Sequence, residues 1–294
     1  MRRRALLALG LAALALPSLA AQKTRRFDRG LLWRVTKDGT RPSTVFGTIH
    51  VADPRVAGLP GPVRRALDGA RSVTLEFVPD HYTRERFMEA AMFLDRQTLE
   101  GTIGTEDFER AVEVLAPIGL PREVVNKLKP WGVLLNLREP RRAVEGLPLD
   151  GQLLEIARAR RLPLEQIEGV EEQIFTFDEM PMDSQVALLR HSLAHRDELG
   201  TLAERTLDAY LARDLAALWR LREQFIARHP EIAAHQALMT KRVIYDRNVV
   251  MAFRMQRQLR RGDAFVALGA LHLYGEKGVL ALLEDDGYRA ARVF

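Results

Sequence analysis

VFGTIH at residues 45–50 and ALGALH at residues 267–272 decide how this chain folds. Each is an apolar run, then a glycine, then a histidine three residues after it. VTLEFV at 73–78 follows the first, and RAARVF at 289–294 follows the second, each after a short helical stretch. A short apolar run bounded by turn residues reads as a buried strand. Both ends of the chain therefore predict the order strand, G-x-x-H, helix, strand, and the shared order marks a supersecondary repeat.

Working outward, Leu31 to Val35 and Ser43 to Phe46 are two further apolar runs joined through Lys37-Asp38-Gly39. An Asp-Gly turn between such runs predicts a hairpin. Pro62 to Gly69 predicts a helix stopped by its glycine, and Val73 to Val78 a strand. At the other end, Ala264 to Leu268 predicts a buried strand, Glu276 to Asp285 a helix, and Arg289 to Phe294 the last strand. Between the ends, apolar residues recur at three- and four-residue spacing over Thr83–Leu99, Thr105–Leu115, Pro121–Arg138 and Asp150–Arg160, the signature of helices. Pro130 is expected to kink or restart the third of these. Leu164 to Ile167 is a candidate short strand. Asp183 to Arg261 reads as nearly continuous helix with breaks near Gly200, Arg213-Asp214 and Pro230. The fold class is α/β (α+β): a mixed sheet built from two strand-GxxH-helix-strand units at the chain ends, with a long helical insertion. No low-complexity linker divides it, so residues 22–294 are expected to form a single domain.

The first 21 residues stand apart. Arg2, Arg3 and Arg4 precede an apolar run of 12 residues, Ala5 to Leu16, followed by Pro17 and the small residues around Ala20. This is the three-part pattern of a secretory signal, and the run is shorter than the about 20 residues that span a bilayer. Cleavage after Ala20 or Ala21 predicts a periplasmic or secreted protein with no membrane anchor left. Losing the three arginines leaves 41 basic against 39 acidic residues. With both signs interleaved along helices, the composition gives no footprint for nucleic acid. The absence of cysteine excludes disulfides, thiolate metal sites and cysteine nucleophiles.

His50 and His272 each follow a predicted strand, where ligands gather in α/β folds, and neutral imidazole is the commonest metal-ligating side chain. Glu76 is the only charge in Val73–Val78. Strand alternation sets it opposite Leu75 and Phe77, and a buried carboxylate requires a partner or a metal. The alternative places Glu76 in water on an edge strand. Two histidines and a carboxylate make a site for a divalent ion with an open position. His191 and His195 are four apart on a helix, but Ser192 stands where a metalloprotease helix carries its glutamate, so they read as surface histidines. His81 follows the Glu76 strand and reads as a loop histidine, with a place near the pocket as the alternative; His229 precedes Pro230 at a helix break, and His235 carries no signal of its own. There is no P-loop, no dinucleotide fingerprint and no nucleophile elbow.

These segments resemble the TraB/GumN family, which includes the Tiki-type metalloproteases. The resemblance runs from LLWRVTKDGTRPSTVFGTIHVADPRV (31–56) and VTLEFV (73–78), through LDGQLLEIARARRLPLEQIEGVEEQ (149–173) and YDRNVVMA (245–252), to FVALGALHLYGEKGVLALLEDDGYRAARVF (265–294). It implies that His50, His272 and Glu76 hold a divalent ion (Mn, Co or Zn). It also implies that Asp150, Glu168, Arg247 and Asn248 complete the site. For these four the plainer readings are a helix cap for Asp150, a solvated loop for Glu168 and surface charge for Arg247. The expected function is an exported metal-dependent hydrolase with peptidase chemistry, acting on a peptide or other small substrate. In that scheme Glu168 or Asp150 serves as general base and Arg247 as oxyanion stabiliser. The alternatives are a non-catalytic ligand- or metal-binding protein of the same fold, or a partner-binding protein in cell-surface polysaccharide or peptide-signal handling.

Overall fold

The computed structural model describes residues 27–137 and 146–294. The expected signal, residues 1–21, lies outside the described residues. Six strands form one sheet: β1 (Leu32–Thr36), β2 (Ser43–Thr48), β3 (Ser72–Leu75), β4 (Leu164–Gln166), β5 (Ala264–Gly269) and β6 (Arg289–Arg292). Their order across the sheet is β4-β3-β5-β2-β1-β6. The β1–β2 hairpin is antiparallel, with Leu32 opposite Phe46, and β6 pairs antiparallel with β1. β5 runs parallel to β2 on one side and to β3 on the other. The sheet is therefore mixed, as expected, and the C-terminal unit inserts its first strand between the two strands of the N-terminal unit.

Every residue of β5 is buried, which explains why Ala264-Phe265-Val266-Ala267-Leu268 carries no polar alternation: a strand covered on both faces reads as a continuous apolar run. Phe265 packs against Phe46 of the neighbouring strand, ring centroids 6.0 Å apart. Helix Gly61–Asp68 buries Val63 and Leu67 on the sheet, and helix Leu149–Ala159 buries Leu153 and Ala157. Burying a large aliphatic side chain such as Val63, Leu67 or Leu153 contributes about 1.5–3 kcal/mol. A second apolar cluster lies in the helical insertion around Trp131, Phe108 and Leu189, and Leu202 and Val243 pack against both.

Several boundaries differ from expectation. β3 ends at Leu75, so Glu76 lies just past the strand and the alternation argument for its face does not hold. β3 lies between β4 and β5, which removes the edge-strand alternative. The expected helix Thr83–Leu99 is His81–Ala90, started by an Asp80–Thr83 capping box that satisfies its free amides. Pro130 restarts the helix as expected, at Pro130–Leu137, while the expected stretch before it is only the short helix Arg122–Val125. Helix Arg196–Leu211 runs straight through Gly200, and the break falls at His195 instead. Asp150 is not a cap: Pro148 holds that position and the Asp150 side chain turns towards the sheet.

Candidate functional site

Thr48 of β2 lies beside Gly269 of β5, and Leu75 of β3 beside Ala267. The carboxyl ends of three parallel strands thus meet at one edge, and His50, Glu76 and His272 come just after them in the chain. The two G-x-x-H turns interlock. A Cβ on Gly47 would stand 2.8 Å from Leu273 Cδ1 and 3.2 Å from Ala270 Cα, so the second turn needs that glycine to approach. A Cβ on Gly269 would stand 3.2 Å from Glu76 Oε1, 3.4 Å from His50 Nε2 and 3.4 Å from His272 Cδ2. All three side chains therefore surround one point above Gly269.

Each histidine is held from behind. His50 Nδ1 donates to Asp150 Oδ2 at 2.7 Å, and Asp150 Oδ1 accepts from Thr48 Oγ1 at 2.8 Å. His272 Nδ1 donates to Asn248 Oδ1 at 2.6 Å, and the Asn248 amide donates in turn to Lys277 O at 2.7 Å. That second bond fixes which Asn248 atom accepts, and so fixes the His272 tautomer with its proton on Nδ1. Outer acceptors of this kind orient metal-ligating histidines and leave Nε2 free.

Glu76 is buried, at 6% exposure. Its Oε1 accepts from the Gly269 amide, and its Oε2 accepts from Arg247 Nη2 at 2.9 Å. Arg247 also reaches Glu168 through Nε, at 2.9 Å. Glu168 is neither solvated nor in an open loop: it is 3% exposed. Arg247 is likewise no surface charge, its side chain being 14% exposed. Arg247 and Asn248 are adjacent on one helix yet serve different partners. That helix, Arg247–Arg261, continues from a π-helical segment, Lys241–Asp246. The extra residue of a π-helical turn rotates the helix beyond it by about 100° relative to a regular one.

The charges are tuned against one another. Burial alone would lower the His50 pKa. The Asp150 carboxylate reverses that through its charge and hydrogen bond, and the value rises from 6.5 to about 9. Since 61% of the His50 side chain is open, water weakens the burial effect more than the direct bond, and the upward direction stands. His272 is enclosed, and burial pushes it down to about 4 against the pull of Glu76. Burial would raise Glu76, but His272, Arg247 and His50 bring it to about 2. With His272 uncharged above pH 4, Arg247 and the protonated His50 supply the positive charge beside Glu76 at neutral pH. The donor set fits a divalent ion: His272 offers a neutral imidazole with a free Nε2, Glu76 an ionised carboxylate, and His50, aimed at the same point, becomes a ligand when an ion displaces its proton.

The sequence profile of the TraB/PrgY/gumN family matches residues 31–292. The chain belongs to this family. It is similar to "Uncharacterized protein YbaP" of Shigella flexneri, at 25% identity over 258 residues covering 85% of this chain and 90% of that protein. The YbaP of Escherichia coli strain K12 is similar to the same extent. No solved structure matches significantly.

A second histidine group lies in the helical insertion, where surface residues were expected from the sequence. His191, His195, His229 and Glu231 bring one ligand atom each to within 4.8 Å of one another and could hold a metal ion. His191 and His229 are buried. The spacing of His191 and His195 is visible in the sequence. Their convergence with His229, on another helix, is not. Sequence reasoning also misses Thr48, which braces Asp150, and Tyr210, whose hydroxyl donates to Gly47 O at 2.8 Å. No sequence pattern points to either. His81 is exposed and faces Glu85 at 3.2 Å, and His235 Nδ1 lies 2.9 Å from Ser184 Oγ.

Proposed function

We propose that this member of the TraB/PrgY/gumN family is an exported metal-dependent hydrolase whose site is His50, His272 and Glu76. The observation that carries the reading is the paired arrangement of the histidines: each is held at Nδ1 by an acceptor, with Glu76 Oε1 beside the point they share. A divalent ion bound there, manganese, cobalt or zinc, would bring bound water towards neutral pKa and polarise a scissile carbonyl. Asp150 and Asn248 orient the imidazoles. Asp150 and Glu168 both have oxygens engaged by neighbours, so we assign them positioning roles instead of the general-base role expected from the sequence. Arg247 keeps Glu76 ionised and in place. The resemblance to Tiki-type metalloproteases points to a peptide substrate.

One observation favours a second reading. Glu76 is already matched by Arg247, a pairing complete without a metal, which suits a non-catalytic ligand-binding protein. A chelator-stripped mature chain, reloaded with each of the three ions and offered a peptide library, separates the two. The hydrolase reading expects cleavage restored by one ion in wild type and lost in His50→Ala/His272→Ala. Ion-dependent stabilisation without turnover, present in wild type and lost in His50→Ala/His272→Ala, would favour the binding protein, and an ion response no greater in wild type than in that double variant would end the metal reading at this site.

A further inference from the structure

The helical insertion carries three histidines in one pocket. His191 lies near the end of helix Met182–Ala194, His195 at the junction with helix Arg196–Leu211, and His229 at the end of helix Leu215–Arg228. Their rings are 4.3–4.5 Å apart, centroid to centroid. The His191 side chain is 5% exposed, and among the described residues its Nε2 has no hydrogen bond. A buried polar nitrogen without a partner is costly. Its position here is specific: it faces Glu231 Oε1 at 3.4 Å. His229 Nδ1 faces the same oxygen, also at 3.4 Å. On its other side His229 Nε2 lies 2.8 Å from Glu198 Oε2, so the imidazole donates its N–H there and turns the lone pair of Nδ1 inward.

We propose that His191, His195, His229 and Glu231 form a structural zinc site, separate from the one above Gly269. Around a tetrahedral zinc with ligand bonds of about 2.0–2.1 Å, neighbouring donor atoms are about 3.4 Å apart. That is the spacing of Glu231 Oε1 from both His191 Nε2 and His229 Nδ1. Three imidazoles and one carboxylate fill all four positions, and a filled set marks a structural rather than a catalytic site. Glu198 is the outer carboxylate that orients a ligating imidazole. The ligands come from the ends of helices and from the 3₁₀ turn Pro230–Ile232. The ion would therefore fasten those ends together. Imidazole and carboxylate donors alone suffice, which suits a chain without cysteine.

The test does not depend on the hydrolase reading, because it uses the mature chain carrying His50→Ala/His272→Ala. The chelator-stripped protein is titrated with zinc chloride while bound zinc and the thermal transition are followed. One zinc per chain and a zinc-dependent rise in Tm are expected. Glu231→Gln and His195→Ala should each abolish the rise. Glu198→Gln should weaken zinc binding about 10- to 100-fold, the range for loss of an outer carboxylate. Glu231 and Glu198 are well enough exposed, at 58% and 33% of their side chains, for both variants to fold without zinc. No zinc-dependent rise in the background chain would overturn the proposal, as would a rise undiminished by Glu231→Gln and His195→Ala together.

Discussion

Replacing Arg247 by methionine removes a guanidinium bonded to two buried carboxylates. Its Nη2 donates to Glu76 Oε2 at 2.9 Å and its Nε to Glu168 Oε1 at 2.9 Å, with Glu76 and Glu168 side chains 8% and 4% exposed. Methionine fills the volume and restores neither bond. Breaking a buried pair from one side costs about 3–5 kcal/mol, because the remaining charge stays out of water. In a chain of this size 1 kcal/mol moves Tm by about 2–4 °C, so the loss should be on the order of 10 °C. The pH dependence carries a sign. In the wild type Glu76 lies at about 2, below its ordinary 4.5. Its pairing therefore stabilises the fold above pH 4.5, and that contribution is lost as pH falls towards 2. Without Arg247, burial drives Glu76 upward, so the gap between wild type and variant should widen as pH rises from 4.5. Arg247→Lys should fall between them, since a lysine restores charge without the two-pronged geometry. Thermal melts at several pH values measure all of this. An Arg247→Met protein melting within about 2 °C of wild type at neutral pH would refute the account of the network.

Gly269→Ala tests the shared point directly: its φ of −55° and ψ of 134° suit alanine, so Tm should stay within a few degrees, while the methyl reaches His50, His272 and Glu76. Divalent-ion affinity at this site should drop, because the methyl crowds the ligand atoms, and unchanged affinity measured in a zinc-site knockout would show that nothing binds there. Asp150→Asn should lower the His50 pKa from about 9, read from its imidazole NMR resonance. In the wild type that raised value stabilises the fold below pH 6.5 and is lost as pH rises through 9, so the variant should lose this pH dependence; a His50 titration left where it was would contradict the pairing. Exported protein should show an intact mass lacking residues 1–20 or 1–21, and a full-length mass would reject cleavage.

The sheet was legible because its strands are short apolar runs beside glycines. β5, buried on both faces, announced itself by having no polar residue at all. The two G-x-x-H turns gave the convergence of His50 and His272. The reach of Arg247 and Asn248 was not legible from periodicity, because it depends on the π-helical turn before them, which a 3.6-residue pattern does not encode. Asp150 looked like a cap because aspartate near a helix start usually is one. Its actual bonds run to Thr48 and His50, a hundred residues earlier. The same limit hid the His191 group, whose members lie on separate helices joined only by tertiary packing.

The strand order also governs how the chain comes into being. β5, the strand at the heart of the sheet, begins only at Ala264 of 294 residues, and it alone joins β2 to β3. A growing chain that has not yet delivered it owns a hairpin on one side, a β3–β4 pair on the other, and an open seam between. Until β5 has been made the sheet cannot close, and contacts over such sequence separations form slowly. On the export route proposed above, a chain threaded across a membrane before folding would gain from this delay: the sheet locks only when β5 arrives.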